Sequence, residues 1–342
     1  MKKYLSILFI LMMVPGLLLA ETFAKTGTAG VQFLKLGIDA RAIGMAEAYT
    51  AVTDDISSVY WNPAGLALKS NNQVLFSHTE WVADIRYEYL AASQVTGIGT
   101  FALSAAFLHM DWMDVYTEDS FEYPTGETFT NSDLAIGLSY ANEYTDKFSF
   151  GFTLKYLREN LDEYSVNGAS VDIGSLYNTG WKNFTIGMSL RNFGPDLKFE
   201  LDNDNDGKLD EDTFDLLDND GDGLIDEDKE EVPFKLPMNF SLGVALDVFR
   251  TDQHSLISSF QIDNCVDRME TYNLGFEYKV GTFKVRAGKQ FMLDTAGISA
   301  GFGLNIPTSF AIIDLDYSYT DMGDLSESFL KSPHRISLKL SF

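Results

Sequence analysis

Pro333-His334-Arg335-Ile336-Ser337-Leu338-Lys339-Leu340-Ser341-Phe342 closes the 342-residue chain in strict alternation. Successive side chains of a strand point to opposite sides. Ile336, Leu338, Leu340 and Phe342 therefore share one face, and Arg335, Ser337, Lys339 and Ser341 share the other. A soluble antiparallel strand with one solvated face reads the same way, so the alternation fixes a strand and leaves its surroundings open.

Working back from this end, the same period recurs along the chain. Strands are expected at roughly 72–78, 85–96, 100–110, 132–143, 147–158, 169–177, 182–192, 237–249, 253–263, 270–280, 282–291, 296–304, 308–319 and 333–342, an even set of 14. Phe148, Phe150, Phe152, Leu154 and Tyr156 oppose Lys147, Ser149, Gly151, Thr153 and Lys155; Tyr272, Leu274, Phe276, Tyr278 and Val280 oppose Thr271, Asn273, Gly275, Glu277 and Lys279. A ten-residue strand is about 33 Å long, and a tilt near 40° leaves about 25 Å of height, the apolar band of an outer-membrane barrel. Connections after even strands are short: 97–99, 145–146, 178–181, 250–252, Gly281 and 305–307. Those after odd strands are mostly longer: 111–131, 159–168, 193–236 and 320–332. Turns on one side and long loops on the other are how transmembrane β-barrels are built. The expected fold is all-β, a transmembrane antiparallel barrel over 72–342, with both chain termini on the short-turn, periplasmic face and the long loops outside. The closing strand must then pair with the first, near Asn72 to His78, because an open edge cannot face lipid.

Composition agrees. Aromatics make up 13% of the chain, with 26 Phe and 16 Tyr, while mean hydropathy is only average at −0.06. That suits a fold in which every second residue is apolar. A net charge of −25 argues against a nucleic-acid partner. Lys2 and Lys3 precede an apolar run from Leu5 to Leu19, the layout of a secretory signal over 1–24, with cleavage after Ala20 or, better suited by Thr22, after Ala24. The run falls short of the ~20 residues of a spanning helix. Cys265 is the only cysteine, which rules out an internal disulfide.

The aromatic last residue resembles the ending of bacterial outer-membrane barrels, where it is the signal read by the assembly machinery; this marks Phe342 as the assembly signal. The segment before the barrel, 25–71, does not alternate. Ala40 to Val52 suits a helix, Asp54-Asp55 a second helix start, and Asn62-Pro63-Ala64-Gly65 a turn or helix stop. The pieces Leu36-Gly37, Ala40-Arg41-Ala42, Gly44-Met45, Ala48-Tyr49-Thr50-Ala51, Asp54-Asp55 and Tyr60-Trp61-Asn62-Pro63-Ala64-Gly65-Leu66-Ala67 resemble the amino-terminal signature of the PorV/PorQ family, within the wider FadL-like barrel superfamily. Glu47 departs from it by placing a charge where the family usually has small residues. The resemblance implies that this block is a hatch inside the lumen, with Arg41, Asp54, Asp55, Trp61, Asn62, Pro63 and Gly65 as its motif. Physically, the lumen of 14 strands is too wide for wall side chains to fill. Arg41, Asp54 and Asp55 are expected to pair with Glu277, Lys279 or Arg286.

An acidic insert, 200–231 in the fourth outer loop, carries 16 acidic and two basic residues. Asp202, Asp204, Asp206, Asp210 and Asp212 are repeated 16 residues later as Asp218, Asp220, Asp222, Asp226 and Asp228, each set with Gly at its sixth position. Alternate carboxylates around a Gly turn converge on a hard cation, so Ca2+ is the expected ion. Thr213 and Lys229 stand where a bidentate Glu would close a signalling-type loop, which makes the pattern similar to extracellular calcium repeats.

No catalytic constellation emerges: His78, His109, His254 and His334 lie at strand ends, and no enzyme is expected. Trp81, Trp112 and Trp181 read as membrane-interface anchors. The family resemblance implies association with type IX secretion or surface delivery of exported proteins, with outer-membrane lipid, the barrel assembly machinery, a secretion translocon and cargo proteins as partners. The wider superfamily implies the alternative, passive uptake of a hydrophobic small molecule through a wall opening. A kinked strand would mark that opening, and Gly297, Gly301 and Gly303 are the candidates.

Overall fold

Period-2 patterning produces the wall. In a computed structural model describing residues 27–117, 123–162, 164–198, 233–292, 297–322 and 332–342, 14 strands close into one antiparallel barrel. In chain order they are β1 (Gln73–Glu80), β2 (Arg86–Thr96), β3 (Gly99–His109), β6 (Asn131–Thr145), β7 (Phe148–Leu161), β8 (Tyr164–Asn178), β9 (Thr185–Phe193), β10 (Asn239–Arg250), β11 (His254–Cys265), β12 (Thr271–Val280), β13 (Phe283–Phe291), β14 (Ile298–Pro307), β15 (Ile312–Thr320) and β16 (His334–Ser341). A two-stranded hairpin of β4 (Met113–Asp114) and β5 (Thr128–Phe129), which alternation did not reveal, stands in the connection from β3 to β6. The seam lies where the closing strand required it: β16 pairs with β1 from Gln73↔Ser341 to Glu80↔His334. Beyond it, Phe342 and Asn72 exchange backbone bonds of 3.0 and 3.1 Å.

The closing strand is inverted relative to a soluble protein. Ile336 and Leu338 are 49% and 39% exposed, whereas Arg335 and Lys339 are each 3% exposed. Phe76, Leu103, Leu138, Phe276, Val285 and Phe302 continue the outward apolar face around the wall. Aromatic residues ring both ends, with His334 against Tyr317 and Tyr319 at the long-loop end and His254 against Tyr278 at the short-turn end. An apolar exterior around a polar interior is the arrangement that lipid demands.

Three expectations need correction. The connection 159–168 is not a loop: β7 and β8 stay paired to Leu161↔Tyr164, because above the apolar band both strand faces can be polar and alternation no longer reports pairing. The run Ala40 to Val52 is helical only at Ala40–Gly44; Ala46 and Glu47 then take left-handed φ of 52° and 62°. The first described residues also do not share the short-turn face with the end of the closing strand. Gly27 donates to Asp267 O at 3.3 Å and Gly30 to Lys235 O at 3.0 Å, both at the long-loop end. From there, residues 37–68 pass down the lumen and join β1 at the short-turn end.

Candidate functional site

The hatch fits because the wall offers glycines where the two backbones meet. Three pairs stand directly across strand boundaries: Gly151↔Gly174, Gly187↔Gly243 and Gly275↔Gly288. A Cβ on Gly151 would lie 2.6 Å from the Pro63 carbonyl, one on Gly187 2.4 Å from Thr50 O, and one on Gly275 2.5 Å from Met45 O. No side chain is tolerated at such approach without the hatch moving. Wall side chains then take up the hatch's free backbone groups. Gln261 Oε1 accepts from Tyr49 N at 3.0 Å and Thr50 N at 2.8 Å; Gln73 Oε1 accepts from Ile56 N at 2.8 Å; Ser337 Oγ accepts from Ala40 N at 2.8 Å. These bonds explain why the expected helix stops after one turn: amides that would have bonded along a helix are satisfied by the wall instead.

The signature residues gather in the short-turn half. Arg41 forks onto Glu277, with Nε to Oε2 and Nη2 to Oε1 both at 2.9 Å, and its Nη1 reaches Asp55 Oδ2 at 3.0 Å. Asp54 also pairs with Arg41, and Lys339 of the closing strand pairs with Asp55. Arg286 bonds Glu277 at 2.6 Å and Asp316 at 2.7 Å. Of the partners expected for Arg41 and the two aspartates, Glu277 is there directly and Arg286 through it, while Lys279 is exposed and Lys339 takes its place. Burial alone would raise the Asp55 carboxyl; the Lys339 ammonium and then Arg41 outweigh it and hold it well below the usual range. Asp39, fully buried at the start of the helical turn, is pushed up by that burial. Charges buried this way persist only while every partner is in place.

The remaining motif residues shape the plug. Trp61 is 1% exposed and donates Nε1 to Ile38 O at 3.2 Å. Asn62 ends the turn Ser58–Trp61, donates to Thr50 O at 2.9 Å and Ser175 O at 3.1 Å, and caps the 3-10 segment Pro63–Leu68 by accepting from Ala64 N at 3.2 Å. Gly65 packs on the Thr53 carbonyl, 2.7 Å from where a Cβ would sit. At the long-loop end, Asp267 holds Gln32 at 3.0 Å and Lys35 at 2.9 Å. Burial works against its ionisation, yet the hydrogen bonds from Lys35 and Gln32 keep its carboxyl low.

The wall-opening candidates do not form a gap. β14 is paired along both edges, a Cβ on Gly301 would lie 3.2 Å from Gly44 Cα, and one on Gly303 would strike Asp316 at 2.0 Å. Trp112 and Trp181 are 70% and 66% exposed at opposite barrel ends, but Trp81 turns inward under the Arg335 guanidinium, 5.2 Å from its ring, so it is no lipid anchor. The histidines bond or stack on the outer face: His78 with Glu88 at 2.7 Å, His109 on Phe107, His254 with Tyr278 at 2.8 Å and His334 with Tyr317 at 2.7 Å. The ten calcium-loop aspartates and the expected signal lie outside the described residues. The glycine seats, Gln261 and Gln73 were not singled out by motif; their signal was position, a small or amide residue in the inward phase of adjacent strands.

A family profile described as "Type IX secretion system protein PorV" matches residues 20–266, which takes in the hatch and the wall through β11. The chain belongs to the PorV family. No curated protein matches it in sequence. The toluene transporter TbuX of Ralstonia pickettii shares its fold at a TM-score of 0.56 and 11% identity, over 89% of this chain and 97% of that one. A Pseudomonas aeruginosa FadL homologue does so at 0.51 and 13%, over 90% and 98%, and the Pseudomonas putida toluene transporter TodX at 0.51 and 13%, over 86% and 96%. At these identities the likeness shows the barrel fold alone. This PorV-family chain is an outer-membrane β-barrel protein of type IX secretion, with a fastened hatch in its lumen.

Proposed function

We propose that the protein acts as a closed scaffold in surface delivery: it holds a place in the outer membrane and presents its long-loop face to exported proteins and to the translocon that brings them. The observation that supports this most is the Arg41–Glu277 fork, flanked by the Asp55–Lys339 and Arg286–Asp316 pairs. It ties the hatch to β12, β13, β15 and β16 at once, as a wall meant to stay shut would be. On this reading the barrel assembly machinery recognises the end at Phe342, and Ca2+ orders the Asp202–Asp228 insert on the delivery face.

Affinity purification from detergent-solubilised outer membranes tests the role. Translocon components or cargo should co-purify; recovery of a lipid-like molecule with no protein partner would overturn it. That second outcome belongs to hydrophobic uptake, which one feature favours. The β8–β9 register shifts between Val171 and Ile173 around Asn192, whose φ is 59°. Leu154, Val171, Phe193 and Pro195 line a groove there, with Lys155 at its back.

A further inference from the structure

The long-loop half of the lumen contains a cavity of about 400 Å³ that the hatch leaves unfilled. Leu36, Ile43, Trp81 and Met322 form its apolar wall. Its charged wall is Glu47, Arg268 and Arg335, with the Lys35–Asp267 pair at the rim. Arg335 is 97% buried, since only 3% of it is exposed, and its guanidinium carbon lies 5.2 Å from the Trp81 ring centroid. Its Nε has no hydrogen-bond partner, and neither has the buried Nε of Arg268. A buried donor without a partner destabilises the fold, and more so when it is charged. Both arginines border one cavity, and neither guanidinium makes a side-chain hydrogen bond or ion pair among the described residues, which leaves their remaining nitrogens to an acceptor that the chain itself does not supply.

Glu47 is set in this wall by its backbone. Its left-handed φ of 62°, directly after Ala46 at 52°, is unfavourable for side-chain-bearing residues and is retained where surrounding structure imposes it. The result is a carboxylate in the cavity wall that forms no ion pair within 4 Å among the described residues. Asp267, the other carboxylate nearby, is already engaged by Lys35 and Gln32. The two arginines therefore exceed Glu47 by one positive charge.

We propose that this cavity binds a compact monocarboxylate with an apolar body. The planar guanidinium fork matches a carboxylate, and Trp81, Ile43, Leu36 and Met322 receive the rest of the molecule. The volume is within the range of small-molecule sites. Glu47 sets the charge limit: one negative charge balances the site, and a second meets repulsion. Gly27, Gln32 and Lys35 line its long-loop side.

Calorimetric titration of the purified barrel in a non-ionic detergent tests this without any secretion partner, so its outcome is independent of the scaffold role. Phenylacetate should bind, and the neutral isostere 2-phenylethanol should bind at least about tenfold more weakly. Arg335→Gln and Arg268→Gln should each weaken phenylacetate by about tenfold or more. Phenylmalonate should be rejected by the unaltered protein and admitted by Glu47→Gln. If Arg335→Gln does not assemble, Arg268→Gln, in the β11–β12 connection, carries the test. Equal affinity for acid and alcohol, no effect of Arg268→Gln, or no binding of phenylacetate up to its solubility limit, the result expected if water alone fills the cavity, would overturn the proposal.

Discussion

The two halves of the lumen treat buried charge in opposite ways. In the short-turn half, Arg41, Arg286 and Lys339 meet Asp55, Glu277 and Asp316 at hydrogen-bonding distance, and glycines bring hatch and wall backbones into contact. In the long-loop half, Arg268 and Arg335 border open space and make no side-chain hydrogen bond or ion pair among the described residues, whereas in the lock Arg286 Nη2 and Asp39 Oδ2 lack a partner but every charged side chain makes an ion pair. The same chain thus builds a lock at one end and a receptive space at the other. Only the lock depends on mutual satisfaction of its members, and mutation should reveal the difference.

The largest effect is expected in the lock. Glu277→Ala strands Arg41 and Arg286 in the lumen and should cost about 3–5 kcal/mol, read as a lower denaturant midpoint in detergent. Arg268→Gln breaks no side-chain hydrogen bond or ion pair within 4 Å among the described residues and should shift the same midpoint by less than about 1 kcal/mol. Equal costs would erase the distinction between the halves. Next comes the backbone contact. Gly275→Val places a side chain against Met45 O and should cost about 1–3 kcal/mol, whereas Gly97→Ala, with nothing within 4 Å of its Cβ, should be close to neutral.

Much of this was legible in the sequence, and the exceptions have physical causes. The strands stood out because lipid outside and polar packing inside enforce period 2 over the apolar band; where β7 and β8 rise above that band the signal vanished, and 159–168 read as a loop. Arg41, Asp55 and Glu277 were legible because a lone charge inside a barrel needs a partner. The hatch conformation was not, because its amides bond to Gln261, Gln73 and Ser337, residues up to 297 positions away in the chain. Gly301 and Gly303 read as a wall gap because sequence does not say whether a missing side chain leaves space or receives a neighbour.

Smaller effects lie at the edges of the two regions. Deleting Phe342 removes two backbone bonds to Asn72, worth about 1 kcal/mol each. Its larger consequence should appear in assembly, as a reduced amount of barrel at the cell surface; an unchanged amount would remove its role as the recognised end. Millimolar calcium should slow proteolysis within 202–228 with a gain of about 1 kcal/mol per loop, as sites of roughly 10⁻⁴–10⁻³ M affinity allow. Identical cleavage in chelator would eliminate the ion.

The central claim is that the lumen stays shut while the protein works. Ala40 of the hatch donates to Ser337 of the closing strand at 2.8 Å, which makes this pair suitable for a covalent lock. Ala40→Cys with Ser337→Cys, in a Cys265→Ser background, would join hatch and wall on oxidation. Measured as exported protein reaching the cell surface, delivery should be the same in the locked and the reduced barrel. Delivery that stops on oxidation and returns with reductant would show that the hatch has to move, and would contradict the closed scaffold.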